Sequence, residues 1–327
     1  MKRGISLKPL LEFPLNPNFA PACWTGRLET KQHQEFQHQA PLEVEIGFGN
    51  GEFLIRRAQE NPKVNFLGIE QNWERICKAL RSIETIQQSS LSELRNIRIV
   101  RLDARLFLEN FLGEESIDYV YCLFPCPWPK KGHIKYRLFS KDFLRLLNNR
   151  LKKQGEVKVV TDFYPYVEWI SKESEGTGFG LKIQKIAARY NTKFERKWSA
   201  QGQKEFFEIN LRKKEHQVLP FKKGFSVKAY KIKTFVPERF QFEDRKGEAA
   251  VIFKEMLFDS LKQKAMIHLI VSEQNITQHV WIVIAKKGRF WGIHKADGQN
   301  ILPTQGIALA LESVYEAARK NSQGHEE

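Results

Sequence analysis

The alternation of short apolar segments with amphipathic ones, which starts near Leu42, constrains the fold of this chain most strongly. Strands are predicted at 42–46, 64–69, 97–102, 117–123 and 157–160, with a closing pair near 182–186 and 205–211. Helices are predicted at 52–59, 73–86, 106–111, 139–151 and 166–173, with Gly155 as the stop signal of the fourth. Strands that alternate with helices indicate a parallel sheet covered on both faces, with right-handed crossovers. Residues 31–213 are therefore predicted to form one doubly wound, Rossmann-like α/β domain that is mostly parallel and closes with an antiparallel hairpin.

The segments on either side of this domain have other patterns. Residues 1–30 contain several prolines and are predicted to be irregular. After a polar joint near 213–223, strands are predicted at 225–232, 249–253, 266–271, 279–285 and 290–294, with a hairpin turn at 286–289 and an amphipathic helix at 307–320. Residues 224–321 are therefore predicted to form a smaller α+β accessory domain.

The charge of the chain points to an anionic partner. Its 327 residues include 53 Lys and Arg against 38 Asp and Glu, a formal net charge of +15. The excess is shared, with +7 from Arg212 onward and +8 before it. Such a protein attracts nucleic acid or an anionic membrane surface. For the C-terminal share two readings stay open, an RNA-contacting surface and a solvated face that only adds stability.

Several classes of protein are disfavoured by what the sequence does not contain. No apolar run approaches the roughly 20 residues that a membrane-spanning helix needs, and the N-terminal residues have no apolar core of signal-peptide length, so we expect a cytoplasmic protein. The four cysteines, Cys23, Cys77, Cys122 and Cys126, form no C-x-x-C pair, and the histidines form no H-x-x-x-H pair. Neither a disulfide framework nor a metal site is predicted. A monomer and a homodimer are equally open.

A glycine turn with acidic residues predicts a nucleoside site. The motif Glu45-Ile-Gly-Phe-Gly-Asn-Gly51 lies at the carboxyl end of the first predicted strand, which is where open α/β sheets bind ligands. Glu70 ends the second strand, where a carboxylate can accept both ribose hydroxyls, and Asp103 ends the third, where a carboxylate can accept from an adenine amino group. Taken singly, each acid could be a solvated strand end. Together with the glycine turn they predict an adenosine site.

The flanking charges distinguish two candidate ligands of that site. A dinucleotide fingerprint has the spacing G-x-G-x-x-G and places pyrophosphate on the helix N-terminus. The spacing here is G-x-G-x-G, and Glu45 and Glu52 flank the turn. Their negative charges are expected to repel pyrophosphate and to suit the sulfonium and ammonium groups of S-adenosylmethionine.

The segment Phe124–Leu138, which begins Phe-Pro-Cys-Pro-Trp-Pro-Lys-Lys, predicts a rigid loop beside an RNA-binding surface. Its prolines exclude an interior strand or helix. Nine Lys or Arg and a single acid, Asp142, lie between Trp128 and Lys153. A helix face so one-sided favours docking of an anion, and cations beside a ring suit RNA. For Trp128, stacking on a base and packing on the sheet edge stay open.

These motifs resemble the bacterial tRNA (guanine-N7-)-methyltransferases over roughly residues 41–212. The resemblance rests on Leu42–Phe53, Phe66–Glu70, Asp103, Thr161-Asp162 and Thr192–Glu195, and above all on the proline loop. It implies a class I fold that uses S-adenosylmethionine to methylate a guanine in the variable loop of tRNA. The residues that it implies for the cofactor are Glu45, Gly47, Gly49, Gly51, Glu70 and Asp103. Those that it implies for the nucleotide are Lys130, Asp162, Thr192, Lys193, Phe194 and Glu195.

The chain departs from the family pattern at Cys126. The family loop reads Phe-Pro-Asp-Pro-Trp, and its Asp, often a catalytic residue, corresponds to Cys126. Gly132, Ile134 and Tyr136 also replace the usual basic residues. Guanine N7 has a lone pair and no proton, so methyl transfer needs positioning rather than a general base. We therefore expect Cys126 to lower the rate without abolishing it, with Asp162 or Glu195 holding the base.

Two other functions remain alternatives at this point. One is a different S-adenosylmethionine-dependent methyltransferase, such as an amino-group enzyme, although those use an Asp/Asn-Pro-Pro-aromatic loop that Cys126-Pro-Trp128 does not match. The other is a tRNA-binding protein whose catalysis is weakened because Cys126 replaces the family Asp.

Overall fold

The structure, a computed structural model, describes residue 36 and residues 39–89, 94–219, 227–273, 276–299 and 301–320. These residues divide into two compact units, one up to residue 219 and one from residue 227 onward. The irregular segment predicted for 1–30 lies outside the described residues.

The first unit is built on a seven-stranded sheet. Its strands are β1 (Leu42–Ile46), β2 (Asn65–Glu70), β3 (Ile97–Arg101), β4 (Ile117–Leu123), β5 (Leu151–Thr161), β6 (Phe179–Ile186) and β7 (Phe206–Lys213). They lie in the order β3-β2-β1-β4-β5-β7-β6, and the first five are parallel. β7 runs antiparallel to both of its neighbours. The predicted mostly parallel sheet with an antiparallel end is confirmed, and strand order reverses beside β1, which is where such sheets bind ligands.

Six helices connect these strands. They are α1 (Glu52–Glu60), α2 (Trp73–Ser89), α3 (Ala104–Phe111), α4 (Lys141–Arg150), α5 (Tyr164–Ser174) and α6 (Lys193–Ala200). α1 and α2 bury their apolar stripes against the sheet, in a cluster that includes Leu54, Ile76, Ile83 and Ile99. Each fully buried aliphatic side chain of this kind contributes roughly 1.5–3 kcal/mol. This packing fixes the position of the glycine turn that precedes α1.

One local prediction in this unit is wrong. Gly155 does not end a helix, because α4 stops at Arg150 and Gly155 lies inside β5. A Cβ there would come 2.9 Å from Leu151 Cδ2 and 3.0 Å from the Lys152 carbonyl oxygen. The pairing of β4 with β5 shifts register close to this point, so the glycine marks an irregularity of the strand. The closing strands β6 and β7 pair antiparallel as predicted, and their connection contains α6.

The second unit is an antiparallel sheet with one α-helix among its described residues. The elements are β8 (Tyr230–Ile232), β9 (Ala249–Asp259), β10 (Lys264–Glu273), β11 (Ile276–Lys287), β12 (Phe290–Lys295) and α7 (Gln305–Lys320). The strand order is β8-β12-β11-β10-β9. α7 packs on the sheet through residues such as Ile307, Leu311 and Val314. The strand predicted for 225–232 is observed only at its end, and residues 225–226 lie outside the described ranges.

In the described ranges, no helix has the length and apolar character that a membrane crossing requires. No group of three or more His, Cys, Asp or Glu side chains among those residues is arranged to hold a metal ion.

Candidate active site

The glycine turn between β1 and α1 has a left-handed backbone at each glycine. The φ angles are 71° at Gly47, 58° at Gly49 and 80° at Gly51. A side chain at Gly51 would be strained by the left-handed backbone conformation. Its Cβ would also lie 2.8 Å from Ala79 Cβ on α2, which is closer than van der Waals contact allows. At Gly47 no atom of the described residues lies within 4 Å of such a Cβ. The turn is thus tight against α2 on one side and open at Gly47.

Glu45 lies on β1 just before this turn and is 4% exposed. Its Oε2 is buried and accepts no hydrogen bond from a described residue. Burial, opposed by Arg56 and the Leu54 backbone, raises the pKa of Glu45 to about 8. A buried carboxyl oxygen without a partner is costly unless a ligand supplies one. Its oxygen is suited to a cation or a hydrogen-bond donor, which fits the sulfonium and ammonium groups of S-adenosylmethionine.

Glu70 holds the glycine turn in place. Its Oε2 accepts from the Gly49 N–H at 3.1 Å, and its Oε1 accepts from the N–H groups of Gln71 and Asn72, both at 2.9 Å. A carboxylate has about four lone-pair sites, so room for one further donor remains. Glu70, which is predicted to bind the ribose, therefore also orders the loop beside the ribose site.

Asp103 is the N-cap of α3. Its Oδ1 accepts from the N–H of Arg105 at 2.9 Å, while its Oδ2 accepts from Gln71 Nε2 at 2.7 Å. The Gln71 bond joins the ends of β2 and β3. The acids predicted at three strand ends thus lie along one edge of the sheet, where Glu70 and Asp103 are held by hydrogen bonds while one oxygen of Glu45 has no partner among the described residues.

The charge of Glu52 does not act as the sequence suggested. Both of its carboxylate oxygens accept from Arg196 Nη2 on α6, at 2.9 and 2.8 Å. Glu45 has a pKa of about 8, so it holds a proton at neutral pH in the ligand-free protein. The predicted repulsion of pyrophosphate stays a prediction, since Arg196 pairs with one of the two acids and burial favours the protonated form of the other. Glu45 is thus a buried acid that is expected to release its proton when a cationic ligand binds.

The proline loop leaves the end of β4 in a strained conformation. Phe124 has φ 56° and Trp128 has φ 42°, both in the left-handed region that disfavours bulky residues. The Phe124 N–H donates to the Val160 carbonyl at 2.8 Å, and Arg137 Nε donates to the Pro127 carbonyl at 2.8 Å. These bonds hold the loop rigid with Cys126, a free thiol, exposed at its surface. Lys130 follows in an exposed position before a 3₁₀ turn at Lys131–Tyr136.

The sequence predicted that the cationic residues after this loop form one exposed face. The structure does not show such a face. Arg137 is 5% exposed, with its guanidinium 5.3 Å from the Tyr166 ring centroid and 5.2 Å from that of Trp169. Arg150 donates to the carbonyls of Leu108 and Glu109. Burial of these two arginines anchors the loop and α4, so the exposed cations of the run are fewer than the sequence indicated.

Trp128 is half-buried in a cluster with two neighbours on the 3₁₀ turn. Its ring centroid lies 5.7 Å from that of His133 and 5.5 Å from that of Tyr136, whose side chain is 52% exposed. Both readings of Trp128 keep some support, because it packs within the loop and also borders an exposed aromatic surface.

The segment Thr192–Glu195 begins α6. Thr192 is its N-cap and accepts from the Glu195 N–H at 3.2 Å. Glu195 is 1% exposed, and its Oε1 accepts from the N–H groups of Arg189 and Tyr190 at 2.7 and 3.1 Å. Glu195 therefore fixes the chain before α6. Lys193 is exposed at the start of the helix.

Phe194 brings this segment against the proline loop. Its ring stacks on that of Phe124 with centroids 6.4 Å apart. Arg75 of α2 also contacts this part of the site. Its Cζ is 5.8 Å from the Phe194 ring centroid, and its Nη1 lies 3.5 Å from where a Gly49 Cβ would be. Arg75 thus links the glycine turn to Phe194, which the sequence analysis missed. Asp162 follows the end of β5 and is half-buried.

A buried network behind α6 was also missed. Glu208 on β7 is 1% exposed and accepts from Tyr190 Oη, Arg189 Nη2 and Gln184 Nε2. Burial alone would raise the pKa of Glu208, but the bonds from Tyr190, Arg189 and Asn210 hold that pKa at about 2. The only signal in the sequence was a Glu on the inward side of an apolar strand. Together with Glu195, it positions the segment that leads into Thr192.

Similarity to known proteins defines the class and then the family. A family described as "Putative methyltransferase" matches residues 39–208, more than half of the chain, so the chain is a methyltransferase. It is 42% identical over 175 residues to the tRNA (guanine-N(7)-)-methyltransferase of Chlorobium phaeobacteroides, covering 54% of this chain and 83% of that protein. The chain belongs to the tRNA (guanine-N7-)-methyltransferase family.

Two further relatives carry the same name. That of Thermotoga maritima is 32% identical over 228 residues, 68% of each protein. That of Aquifex aeolicus is 28% identical over 302 residues, 89% of this chain and 98% of that one. An alignment of 302 residues is longer than the first unit, so the similarity extends into the second.

Proposed function

We propose that this chain transfers the methyl group of S-adenosylmethionine to N7 of a guanine in the variable loop of tRNA, giving 7-methylguanosine. The observation that carries the activity is the 42% identity to a tRNA (guanine-N(7)-)-methyltransferase over 83% of that relative. The buried acid beside the glycine turn supports it, because Glu45 has an unpaired oxygen that suits a cationic nucleoside. S-adenosylmethionine supplies an electrophilic methyl group on a sulfonium. tRNA is the methyl acceptor.

The residues that hold the cofactor follow from the glycine turn and the strand ends. Glu45, Glu70 and Asp103 supply acceptor oxygens, and the turn at Gly47, Gly49 and Gly51 lets the backbone approach the ligand. In support, Gly47 is open to an added atom while Gly51 is packed on α2. Glu70 orders the turn through the Gly49 N–H, so its loss affects the loop as well as the ribose.

The guanine is held by the segments that meet opposite this turn. Lys130 and Lys193 are exposed cations that contact phosphate or the base, and Phe194 stacks at the entrance against Phe124. Asp162 is our choice for the carboxylate that accepts from guanine N1–H and the amino group. Its side chain has no hydrogen bond or ion pair with another described residue, while Glu195 is occupied by the backbone at 189–190.

Thr192 and Glu195 contribute to nucleotide binding by positioning the start of α6. Thr192 caps the helix, and Glu195 sets the chain before it, so both fix where Lys193 and Phe194 stand. Holding a reacting atom in near-attack geometry is worth several kcal/mol of the barrier, which is where these residues contribute.

Cys126 occupies the position of the family Asp and needs no proton-transfer role. N7 presents a lone pair, so no general base is required, and orientation of the ring limits the rate. A carboxylate would also favour the positive charge that develops on the guanine. A neutral thiol does this poorly, so Cys126 lowers turnover, and the rigid backbone around it keeps the loop in place.

We propose that residues 31–213 form the methyltransferase domain and that residues 224–321 form an accessory domain. We also propose that the protein is cytoplasmic. The test is incubation of the full chain with labelled S-adenosylmethionine and unmodified tRNA, followed by mapping of the labelled base. Label on a variable-loop guanine supports the proposal. Label on another base overturns the assignment of the site, and tRNA binding without label identifies a protein that has lost catalysis.

A further inference from the structure

The antiparallel sheet of the second unit has two unlike faces. Along β10, fully buried residues alternate with half-buried ones, and the buried set is Ala265, Ile267, Leu269 and Val271. α7 packs on that buried side. α7 is also the sole α-helix among the described residues of this unit, so no second helix within the described ranges covers the other side. We call this other side the open face. It is formed by the even-numbered residues 264–272 of β10, the odd-numbered residues 277–287 of β11 and their partners on β8, β9 and β12.

Rings occupy the centre of the open face. His268 and Trp281 are cross-strand partners, and their rings stack with centroids 4.6 Å apart at an interplanar angle of 13°. His279 lies one row further along, with its Nδ1 3.2 Å from His268 Nε2, and is itself exposed. Two imidazoles and an indole therefore form a contiguous aromatic patch on a pleated surface. Such a patch can stack an unpaired base.

Three lysines lie at one end of the same face. Lys231, Gly292, Ala285 and Lys264 lie in one cross-strand row, which continues to Asp259 on β9. The Lys287 side chain extends over Gly292 of this row, with its Cδ 3.7 Å from the position that a Gly292 Cβ would take. Lys231 Nζ lies 4.7 Å from the Phe290 ring centroid in the next row. The three ammonium groups therefore stand around two rows of the sheet.

Acids on the open face are few and are engaged. Asp259 lies opposite Lys264 in the register, but its ion pair is with Lys262 at 3.7 Å, and Glu255 lies 3.5 Å from His268 Nδ1. Within the described ranges, Lys231, Lys264 and Lys287 have no carboxylate within salt-bridge distance. Residues 222–327 hold 17 Lys and Arg against 12 Asp and Glu. The open face thus presents unpaired positive charge next to flat rings.

We propose that the open face is a second tRNA-contacting surface, separate from the methyl-transfer site and resting on the proposed function of that site. An unpaired stretch of the tRNA stacks its bases on the patch of Trp281, His268 and His279. Its phosphates lie against Lys231, Lys264 and Lys287. Rings that stack bases beside lysines that follow the backbone are the usual means of binding single-stranded RNA. A second copy of the chain is a poorer occupant, because two copies of this face would bring like charges together.

The test uses the full chain with three charge reversals, K231E, K264E and K287E, made together. tRNA binding is followed by fluorescence anisotropy over a range of salt concentrations, and methyl transfer is measured in parallel. We expect the Kd for tRNA to rise at least about tenfold. The slope of log affinity against log salt should become shallower by roughly 0.7 for each phosphate that the variant no longer neutralises. Turnover at saturating tRNA and the affinity for S-adenosylmethionine should be unchanged.

The matched control reverses three exposed cations elsewhere in the same unit, K246E, R319E and K320E. It changes the net charge equally, so tRNA affinity close to the wild-type value is expected. An equal fall in affinity in both variants would show a general charge effect and overturn the proposal, as would unchanged binding in the first variant. If sedimentation shows that the first variant dissociates a dimer, the open face joins copies of the chain and the proposal is wrong.

A single variant tests the stacking separately and does not depend on the fold of the triple variant. H279A removes an exposed ring and leaves the three lysines in place. Loss of one stacked base weakens binding by about fivefold or more, with the salt slope unchanged; unaltered affinity would refute stacking there. Wild-type protein that binds tRNA through the open face but transfers no methyl group would defeat the proposed function and leave the open face standing.

Discussion

Replacement of Glu45 by Gln is the most informative perturbation of the site, because it removes one titration with little change in size. The pKa of Glu45 is raised from 4.5 to about 8, mainly by burial. Between these two pH values the folded protein keeps a proton that the unfolded chain releases. The unfolded state therefore binds fewer protons, and the stability of the wild type falls as pH rises through this window.

The size of the effect follows from the same two values. Stability falls by about 1.4 kcal/mol for each pH unit above 4.5, which amounts to roughly 3 kcal/mol at pH 7. E45Q lacks this titration. The difference in unfolding free energy between E45Q and the wild type should therefore shift in favour of E45Q by about 3 kcal/mol between pH 4.5 and pH 7.

Urea unfolding at a series of pH values measures this difference. E60Q is the matched control, because the Glu60 side chain is 57% exposed and pairs only at 4.0 Å with Arg56, so its curve should run parallel to that of the wild type. A difference between E45Q and the wild type that stays flat with pH would refute the reasoning, since it would mean that Glu45 is ionised in the folded protein.

Binding of a cationic nucleoside should expel the same proton. With a pKa of about 8, Glu45 is about nine-tenths protonated at pH 7. Calorimetry in two buffers of different ionisation enthalpy should therefore give release of close to one proton per S-adenosylmethionine bound, and E45Q should bind weakly without release. Binding by the wild type with no proton released would contradict the role of Glu45 as the counter-charge.

The remaining predictions concern the loop, the network behind α6 and the turn. Cys126→Asp should raise turnover several-fold with little change in the KM for tRNA, while Cys126→Ala should leave turnover near that of the wild type; steady-state kinetics decide. Glu208→Gln should lower stability at pH 7 and raise the KM for tRNA while sparing S-adenosylmethionine affinity. The wild-type contribution of Glu208, whose pKa is about 2, is present above pH 4.5 and is lost as pH falls towards 2; equal melting temperatures at pH 7 would count against it. Gly51→Ala should cost about 2–4 kcal/mol in urea unfolding, since a Cβ there meets Ala79 in a left-handed conformation, whereas Gly132→Ala, with open space around it, should be near neutral.

The parts of the site that could be predicted are those fixed by short-range pattern. The strand before Gly47 and the helix after Gly51 can be read from apolar periodicity, and the glycines between them require positive φ. Because parallel strands end at the same edge, acids that follow β1, β2 and β3 had to lie near one another. Resemblance to a known family then supplied the function.

What could not be predicted depends on residues far apart in the chain. Glu52 and Arg196 are 144 positions apart, so their pairing, which removes a charge from the turn, has no local signal. The burial of Arg137 against Tyr166 likewise converts an expected RNA contact into an anchor of the loop. α6 was missed because its apolar content is low, although Thr192 and Glu195 have the spacing of a helix N-terminus.

Methylation of a tRNA transcript in which 7-deazaguanine replaces guanine tests the central claim most directly. The analogue keeps the N1–H and amino group for orientation, but it has carbon in place of N7. We predict that unmodified tRNA yields 7-methylguanosine by nucleoside mass spectrometry, while the substituted transcript binds with similar affinity and accepts no methyl group. Equal methyl incorporation into both transcripts would contradict the account, since the acceptor atom would then not be N7.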